Sequence, residues 1–278
     1  MVAEQEGGLY LPRSIELVEA IEENSLEKTF VFDLLDGEPM PYKPGQFMLL
    51  TVFGAGEAPF TLCSMPGEAP RVQLTVRRYP GGRVTEVLHA MAPGAHAGIR
   101  GPFGNGFPMD ALRGRDVLVV AGGIGMAPQR GLIEAILNER DAFGKLTVFY
   151  GMANPEQMLY KDLMAQWRER DDLDLRLTMD RPHPDWDGHV GLITTLFKDF
   201  EADPERLTVT IVGPPVMYPF VAMECATLGV ADEDILVSLE RRMACGVGKC
   251  GHCAIKGHYV CIEGPVFTLA QYKDFGED

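Results

Sequence analysis

Six cysteines occur in this 278-residue chain, and four of them, Cys245, Cys250, Cys253 and Cys261, fall within seventeen residues. Their spacing is C-x4-C-x2-C-x7-C. The opening C-x4-C-x2-C is the spacing of plant-type loops that hold a [2Fe–2S] cluster. Two irons need four thiolates converging on one small space, with backbone N–H groups turned toward the sulfurs. Gly246, Gly248 and Gly251 give the intervening backbone the freedom to fold that tightly. Structural zinc also takes four thiolates. Zinc sites more often pair two C-x2-C units, however, and only Cys250 and Cys253 form one here. His252 lies between two expected ligands and reads as a solvent-facing loop residue, because four thiolates already complete a site. Cys63 and Cys225 stand alone and read as small buried residues. A secreted disulfide framework would spread its cysteines through a shorter chain.

Two glycine turns suggest anion binding. Ala121-Gly122-Gly123-Ile124-Gly125-Met126-Ala127-Pro128 follows a strand-like run and opens a helix. Glycines there let a backbone approach a pyrophosphate, and a helix N-terminus favours an anion. An ordinary tight strand–helix turn reads equally well. Val212-Gly213-Pro214-Pro215-Val216-Met217 follows another strand, at the end of an open sheet where ligands bind. Met217 reads as a core methionine or a site-lining one. Gly82-Arg83-Val84-Thr85 begins an expected helix over 84–91, where Thr85 holds a pyrophosphate or simply caps the helix. Ala58-Pro59-Phe60-Thr61 is expected just after a strand, and Arg100 to Gly106 as the connection between domains.

These residues need a scaffold, and the texture of the chain supplies one. From about Ile15 to Gly106 short strand-like runs, such as Phe30–Phe32, Phe47–Val52 and Val72–Val76, alternate with turns at Gly45, Pro66-Gly67, Pro80-Gly81-Gly82 and Pro93-Gly94. That texture predicts an antiparallel β-barrel. From about Arg115 strands (Val117–Val120, Leu146–Tyr150, Leu173–Thr178, Leu207–Val212) alternate with helical stretches (Gln129–Glu139, Tyr160–Arg168), which predicts a parallel α/β domain. The last ~40 residues are too few for a core of their own. The expected division is 1–110, 111–236 and 237–278.

The composition, 46% hydrophobic and 23% charged, is that of a globular protein. A formal net charge of −15 argues against nucleic-acid binding, which needs a basic surface. No apolar run reaches membrane-spanning length, and the acidic Met1–Glu6 lacks the pattern of a signal peptide, so a cytoplasmic protein is expected.

Together these motifs resemble the ferredoxin-NADP reductase superfamily. Within it they are similar to the flavin/iron–sulfur electron-transfer subunits of dihydroorotate dehydrogenase, anaerobic sulfite reductase and, above all, cytoplasmic NiFe hydrogenase. The segments carrying the likeness are Ile99 to Pro108, Ala121 to Pro128, Gly213 to Met217, Leu239 to Cys253 and Tyr259 to Phe267. The resemblance implies a barrel holding FAD, a domain taking NAD(P)H, and a C-terminal [2Fe–2S] lobe on the four clustered cysteines. It assigns Pro59, Phe60, Thr61, Thr75, Val76, Arg77, Gly82, Val84 and Thr85 to the flavin. Gly122, Gly123, Gly125, Met126, Pro128, Gly213, Pro214, Pro215 and Met217 fall to the nicotinamide nucleotide. The superfamily usually has an arginine where this chain has Ala58, a role left to Arg77 or Arg83, and a cysteine where it has Val212. Gly151 to Pro155 contains no basic residue for a 2′-phosphate, which favours NAD, with Arg181 left as the alternative cation for NADP. The implied route runs from NAD(P)H through FAD and the cluster to a partner subunit. The rival readings are a self-sufficient reductase and a zinc-stapled module without redox chemistry.

Overall fold

In the first sheet, Ile15 and Leu17 alternate with solvent-facing neighbours, so one side of the opening strand enters a core. The computed structural model describes residues 8–276 except 66 and 68; the run Met1–Glu6 and Pro66 of the expected turn lie outside the described residues. The N-terminal sheet has six antiparallel strands, β1 (Arg13–Glu22), β2 (Glu27–Leu34), β3 (Phe47–Val52), β4 (Gly56–Thr61), β5 (Arg71–Arg77) and β6 (His96–Phe103), in the order β4-β3-β6-β1-β2-β5. One isolated bridge, Leu62 to Leu74, links the chain beyond β4 to β5. Helix α1 (Arg83–Ala90) follows β5.

One expectation is extended here and another changes. Residues 58–61 follow β3, as expected, and themselves belong to a further strand, β4, paired with β3 from Phe47↔Thr61 to Val52↔Gly56. Pro59 is tolerated because β4 lies at the end of the strand order, where a missing N–H breaks no second ladder. Residues 100–103, by contrast, are not a linker but the end of β6, and the connection begins only after Phe103.

After the short helix α2 (Met109–Leu112), the second sheet is built from β7 (Asp116–Gly122), α3 (Met126–Asn138), β8 (Leu146–Met152), α4 (Lys161–Arg168), β9 (Asp174–Met179), β10 (His189–Val190), β11 (Leu207–Val212), α5 (Met217–Leu228) and β12 (Ile235–Ser238). The lobe adds the hairpin β13 (Ala254–Ile255) and β14 (His258–Tyr259), then α6 (Val260–Glu263), β15 (Val266–Thr268) and α7 (Leu269–Phe275). The order is β10-β9-β8-β7-β11-β12-β15, all parallel except β15. The chain runs outward one way from β7 and returns on its other side with β11. The sheet therefore reverses between these two strands, the crevice where open α/β sheets take ligands.

The lobe has no core of its own. Cys253, Ile255, Val260, Cys261, Phe267, Leu269 and Phe275 are buried in one cluster with Val120, Val209 and Ile211 of the parallel sheet. Asn105 adds a tie from the connection after β6. Its Nδ2 donates to the Glu263 and Val266 carbonyls (2.8 and 2.6 Å), and its Oδ1 accepts from the Val266 N–H (3.1 Å).

A buried polar chain joins the two sheets. Tyr160 precedes α4 in the left-handed region (φ 53°). Its hydroxyl bonds Thr75 Oγ1 at 2.5 Å, and Thr75 in turn bonds Thr29 at 2.7 Å. The Tyr160 N–H donates to Glu23 Oε2 at 2.8 Å, and the Arg130 guanidinium stacks 4.8 Å over the Tyr160 ring. With every hydroxyl satisfied, this network fixes how the helix after the first glycine turn faces the strand carrying Thr75.

Candidate functional site

A cavity of about 450 Å³ opens between the two sheets and the start of the lobe. The N-terminal sheet lines it with Pro59, Phe60, Thr61, Thr75, Val76, Arg77 and, from α1, Thr85. The parallel sheet contributes Ile124, Ala127, Pro128 and Val212. The third wall is the run Ser238 to Met243 leading into the cysteine loop. Eight of the residues expected from sequence thus meet in one space: Pro59, Phe60, Thr61, Thr75, Val76, Arg77, Thr85 and Pro128.

The other expected residues sit beside the cavity. Gly82 is the N-cap of α1. Thr85 therefore does not cap that helix; it lies in the first turn, and its Oγ1 accepts from the Tyr79 N–H at 3.3 Å. Val84 packs against the core of the N-terminal sheet. Gly122 and Gly213 meet where β7 and β11 end: a Cβ on Gly213 would lie 3.1 Å from the Gly122 Cα, and one on Gly122 would lie 2.8 Å from Met217 Sδ and 3.0 Å from Pro214 Cδ. Gly123 takes φ 53°, and Gly125 packs on the Val212 carbonyl and the Gly213 Cα. Met126 is fully buried in the core, and Pro215 is exposed.

Sequence reasoning did not single out the third wall. Leu239 to Met243 carried only a family likeness, and no local pattern shows that Glu240, Arg241 and Arg242 turn back toward Phe60 and Thr85. Arg77, one of two cations expected to replace an arginine at 58, is held by Glu27, which is 1% exposed. Arg83 does not reach the cavity wall. Glu240 lines the cavity at an exposed position, and the desolvation it meets there raises its carboxyl above the usual value, against the pull of Arg77. The folded chain therefore holds this proton more tightly than the unfolded one, and stability falls as pH rises through that raised value. Glu240→Gln should raise the melting temperature over the wild type by a small margin that grows as pH rises above the ordinary carboxylate range. A constant or shrinking margin would show that the carboxyl does not titrate under strain.

The cysteine loop wraps its own sulfurs. Cys245 Sγ accepts from the N–H groups of Val247, Lys249 and Cys250 at 3.3–3.4 Å, and Cys261 Sγ accepts from that of Gly248 at 3.2 Å. Among the described residues no three of these sulfurs lie mutually within 4.8 Å. The exposed Cys250 thiol is drawn down to about 7, chiefly by the His252 backbone N–H, whereas burial pushes Cys261 up to about 12. His252 is exposed, and Cys63 and Cys225 are buried. Arg100 anchors the loop to the first sheet. It forms a fork on Glu57 (2.9 and 2.6 Å) and donates to the Cys245 carbonyl at 3.2 Å. Burial works against the Glu57 charge, but hydrogen bonds from Arg100 and Thr51 hold its carboxyl below the usual range.

A two-domain scaffold with a cavity at the reversal point of its sheet and a four-thiolate lobe beside it defines a class of redox proteins. Residues 14–107 match the oxidoreductase FAD-binding domain, 119–223 the oxidoreductase NAD-binding domain, and 240–272 the iron-sulfur cluster binding domain of dihydroorotate dehydrogenase B. The gamma subunit of sulfhydrogenase 2 from Pyrococcus furiosus is 38% identical over 91% of this chain and 93% of its own. A probable dihydroorotate dehydrogenase B (NAD(+)) electron transfer subunit from Methanothermobacter thermautotrophicus is 31% identical over 96% and 93%. Among solved structures, an NADH-dependent reduced ferredoxin-NADP oxidoreductase chain covers 97% of this chain and 96% of its own at TM-score 0.73 and 24% identity. The flavohem-like FAD/NAD binding domain of a Vibrio cholerae nitric oxide dioxygenase gives the same TM-score at 18% identity over 83% and 99%. The chain belongs to the ferredoxin-NADP reductase-like family of FAD- and NAD-binding electron-transfer subunits that includes sulfhydrogenase gamma and the dihydroorotate dehydrogenase B electron-transfer subunits. It is an oxidoreductase subunit that moves electrons between NAD(P)H, FAD and an iron–sulfur cluster. No helix among the described residues is long and apolar enough to cross a membrane.

Proposed function

We propose that this chain is the diaphorase subunit of a cytoplasmic NiFe hydrogenase. In that reading residues 1–110 form the FAD barrel, 111–236 the NAD(P)H domain, and 237–278 a [2Fe–2S] lobe. The observation that carries it is the single cavity walled by all three segments, with the cluster loop beginning two residues beyond its last wall residue before Pro265, Met243. Pro59 to Thr61, Thr75 to Arg77, Gly82, Val84 and Thr85 surround the flavin. The turns Gly122–Pro128 and Gly213–Met217 receive the nicotinamide nucleotide, for which we favour NAD. The C-x4-C-x2-C spacing of Cys245, Cys250 and Cys253, with Cys261 as the fourth thiol, suits two irons better than zinc, whose sites more often pair two C-x2-C units. The donor set fits such a cluster, since four backbone N–H groups already point at its sulfurs and would stabilise their negative charge. Bound FAD would accept the paired electrons of a hydride and release them singly to the cluster. The chain's own residues orient the two dinucleotides, keep water from the space between them, and hold the cluster loop against the cavity.

The higher identity to sulfhydrogenase gamma subunits, 38% against 31%, favours hydrogenase over dihydroorotate dehydrogenase as the partner. Isolation of the native complex, with its accompanying chains identified by mass spectrometry and its visible spectrum followed on anaerobic NADH addition, tests this. NADH bleaching of flavin and cluster, in a complex containing hydrogenase subunits, is expected. A colourless, zinc-containing protein would end the redox reading, and a different catalytic partner would end the hydrogenase assignment.

A further inference from the structure

Arg242 lines the cavity without a hydrogen-bond or ion-pair partner among the described residues. A dinucleotide lying in this cavity brings an anionic diphosphate, and the chain as a whole carries a net charge of −15. The diphosphate therefore has to find its cations in the cavity wall. The N-terminal sheet has none to spare. Position 58 is alanine, and the Arg77 guanidinium is engaged by Glu27. Arg100 is committed to Glu57 and to the Cys245 carbonyl, and Arg83 does not reach the wall. Of the two remaining wall arginines, Arg241 already engages another group of the protein. Arg242 is the wall cation with its five donors unspent.

We propose that Arg242 binds the diphosphate of a dinucleotide in this cavity. The inference rests on the reading that flavin and nicotinamide nucleotides share this space. It moves the cation from the flavin sheet to the segment leading into the cluster loop, three residues before Cys245. A dinucleotide is then held by the first sheet on one side and by the lobe on the other, and its retention depends on the lobe being in place. FAD and NAD(P) both carry the recognised group, so the test separates them.

The full chain is purified with cluster and flavin as wild type, Arg242→Ala and Arg242→Lys. The FAD Kd is read from the recovery of flavin fluorescence on dilution, and the NAD+ Kd from ultrafiltration. Iron content and visible spectrum check that the lobe is intact. The loss of one charge-assisted contact should raise the Kd of one dinucleotide by about tenfold or more in Arg242→Ala, with partial recovery in Arg242→Lys. A change confined to FAD assigns the flavin diphosphate, and one confined to NAD+ assigns the nicotinamide nucleotide. If Arg242→Ala loses iron, Arg242→Lys and Arg242→Gln carry the comparison. Unchanged Kd values for both dinucleotides in iron-replete variants overturn the proposal while leaving the wider reading intact. A wild-type protein that binds neither dinucleotide overturns both.

Discussion

Cys253→Ala should abolish electron delivery beyond the flavin while leaving flavin reduction by NADH intact, provided FAD is supplied in excess. Cys253 is 1% exposed and lies in the core cluster shared by the lobe and the parallel sheet. It is one of the four clustered cysteines, and alanine offers no thiolate in its place. Changes outside the ligand shell already cost metal affinity 10- to 100-fold, so loss of a ligand should lower one-electron acceptor reduction by more than about a hundredfold. Iron content should fall with it, and so should the melting temperature, because cluster binding is coupled to folding of a lobe with no core of its own. Stopped-flow reduction by NADH, followed by addition of a one-electron acceptor, reads both halves. A variant that keeps its iron and still reduces the acceptor would show that Cys253 is not a ligand.

The second large effect comes from a position with no functional atoms of its own. Gly125→Ala places a Cβ against the carbonyl of Val212 and the Cα of Gly213, backbone atoms at the end of a central strand. Neither can move aside as a flexible side chain would. The strain should cost about 1–3 kcal/mol of stability. It should also push the two glycine turns apart, raising the NADH KM by about tenfold or more while FAD and iron contents hold. Gly123→Ala is the control. It has φ 53° but nothing within 4 Å of an added Cβ, so its cost is backbone strain alone. Equal losses in the two variants would mean that contact between the turns is not what matters. Thermal melts and NADH saturation curves decide between the outcomes.

The sequence exposed those parts of the molecule whose physics is local. The four cysteines are legible because a cluster loop closes on itself over seventeen residues, with its ligands and its turning glycines in one stretch. Strands such as β7 and β11 are legible because burial on both faces leaves an uninterrupted apolar run. That residues 58–61 form a strand of their own was not legible, because a proline fits a strand only at an edge, and edge position is decided by the order of strands in space. Arg100 looked like part of a linker because glycine and proline surround it. Its role appears only with Glu57 and Cys245, 43 and 145 residues away. The third wall of the cavity was hidden for the same reason. Glu240 to Met243 belong to the approach to the cysteine loop, and only the fold turns them toward the strand carrying Phe60.

The antiparallel strand β15 bears on modularity. It pairs with β12 through Leu236↔Thr268, Val237↔Phe267 and Ser238↔Val266, and so supplies the outermost strand of the nucleotide-binding sheet. A gene cut after Ser238 would therefore not yield a minimal flavin reductase. It would leave β12 as a bare apolar edge, open to pairing with another chain, and would empty the space filled by Phe267, Leu269 and Phe275. Protein engineers who want the reductase without its cluster should replace the cysteines and keep the tail.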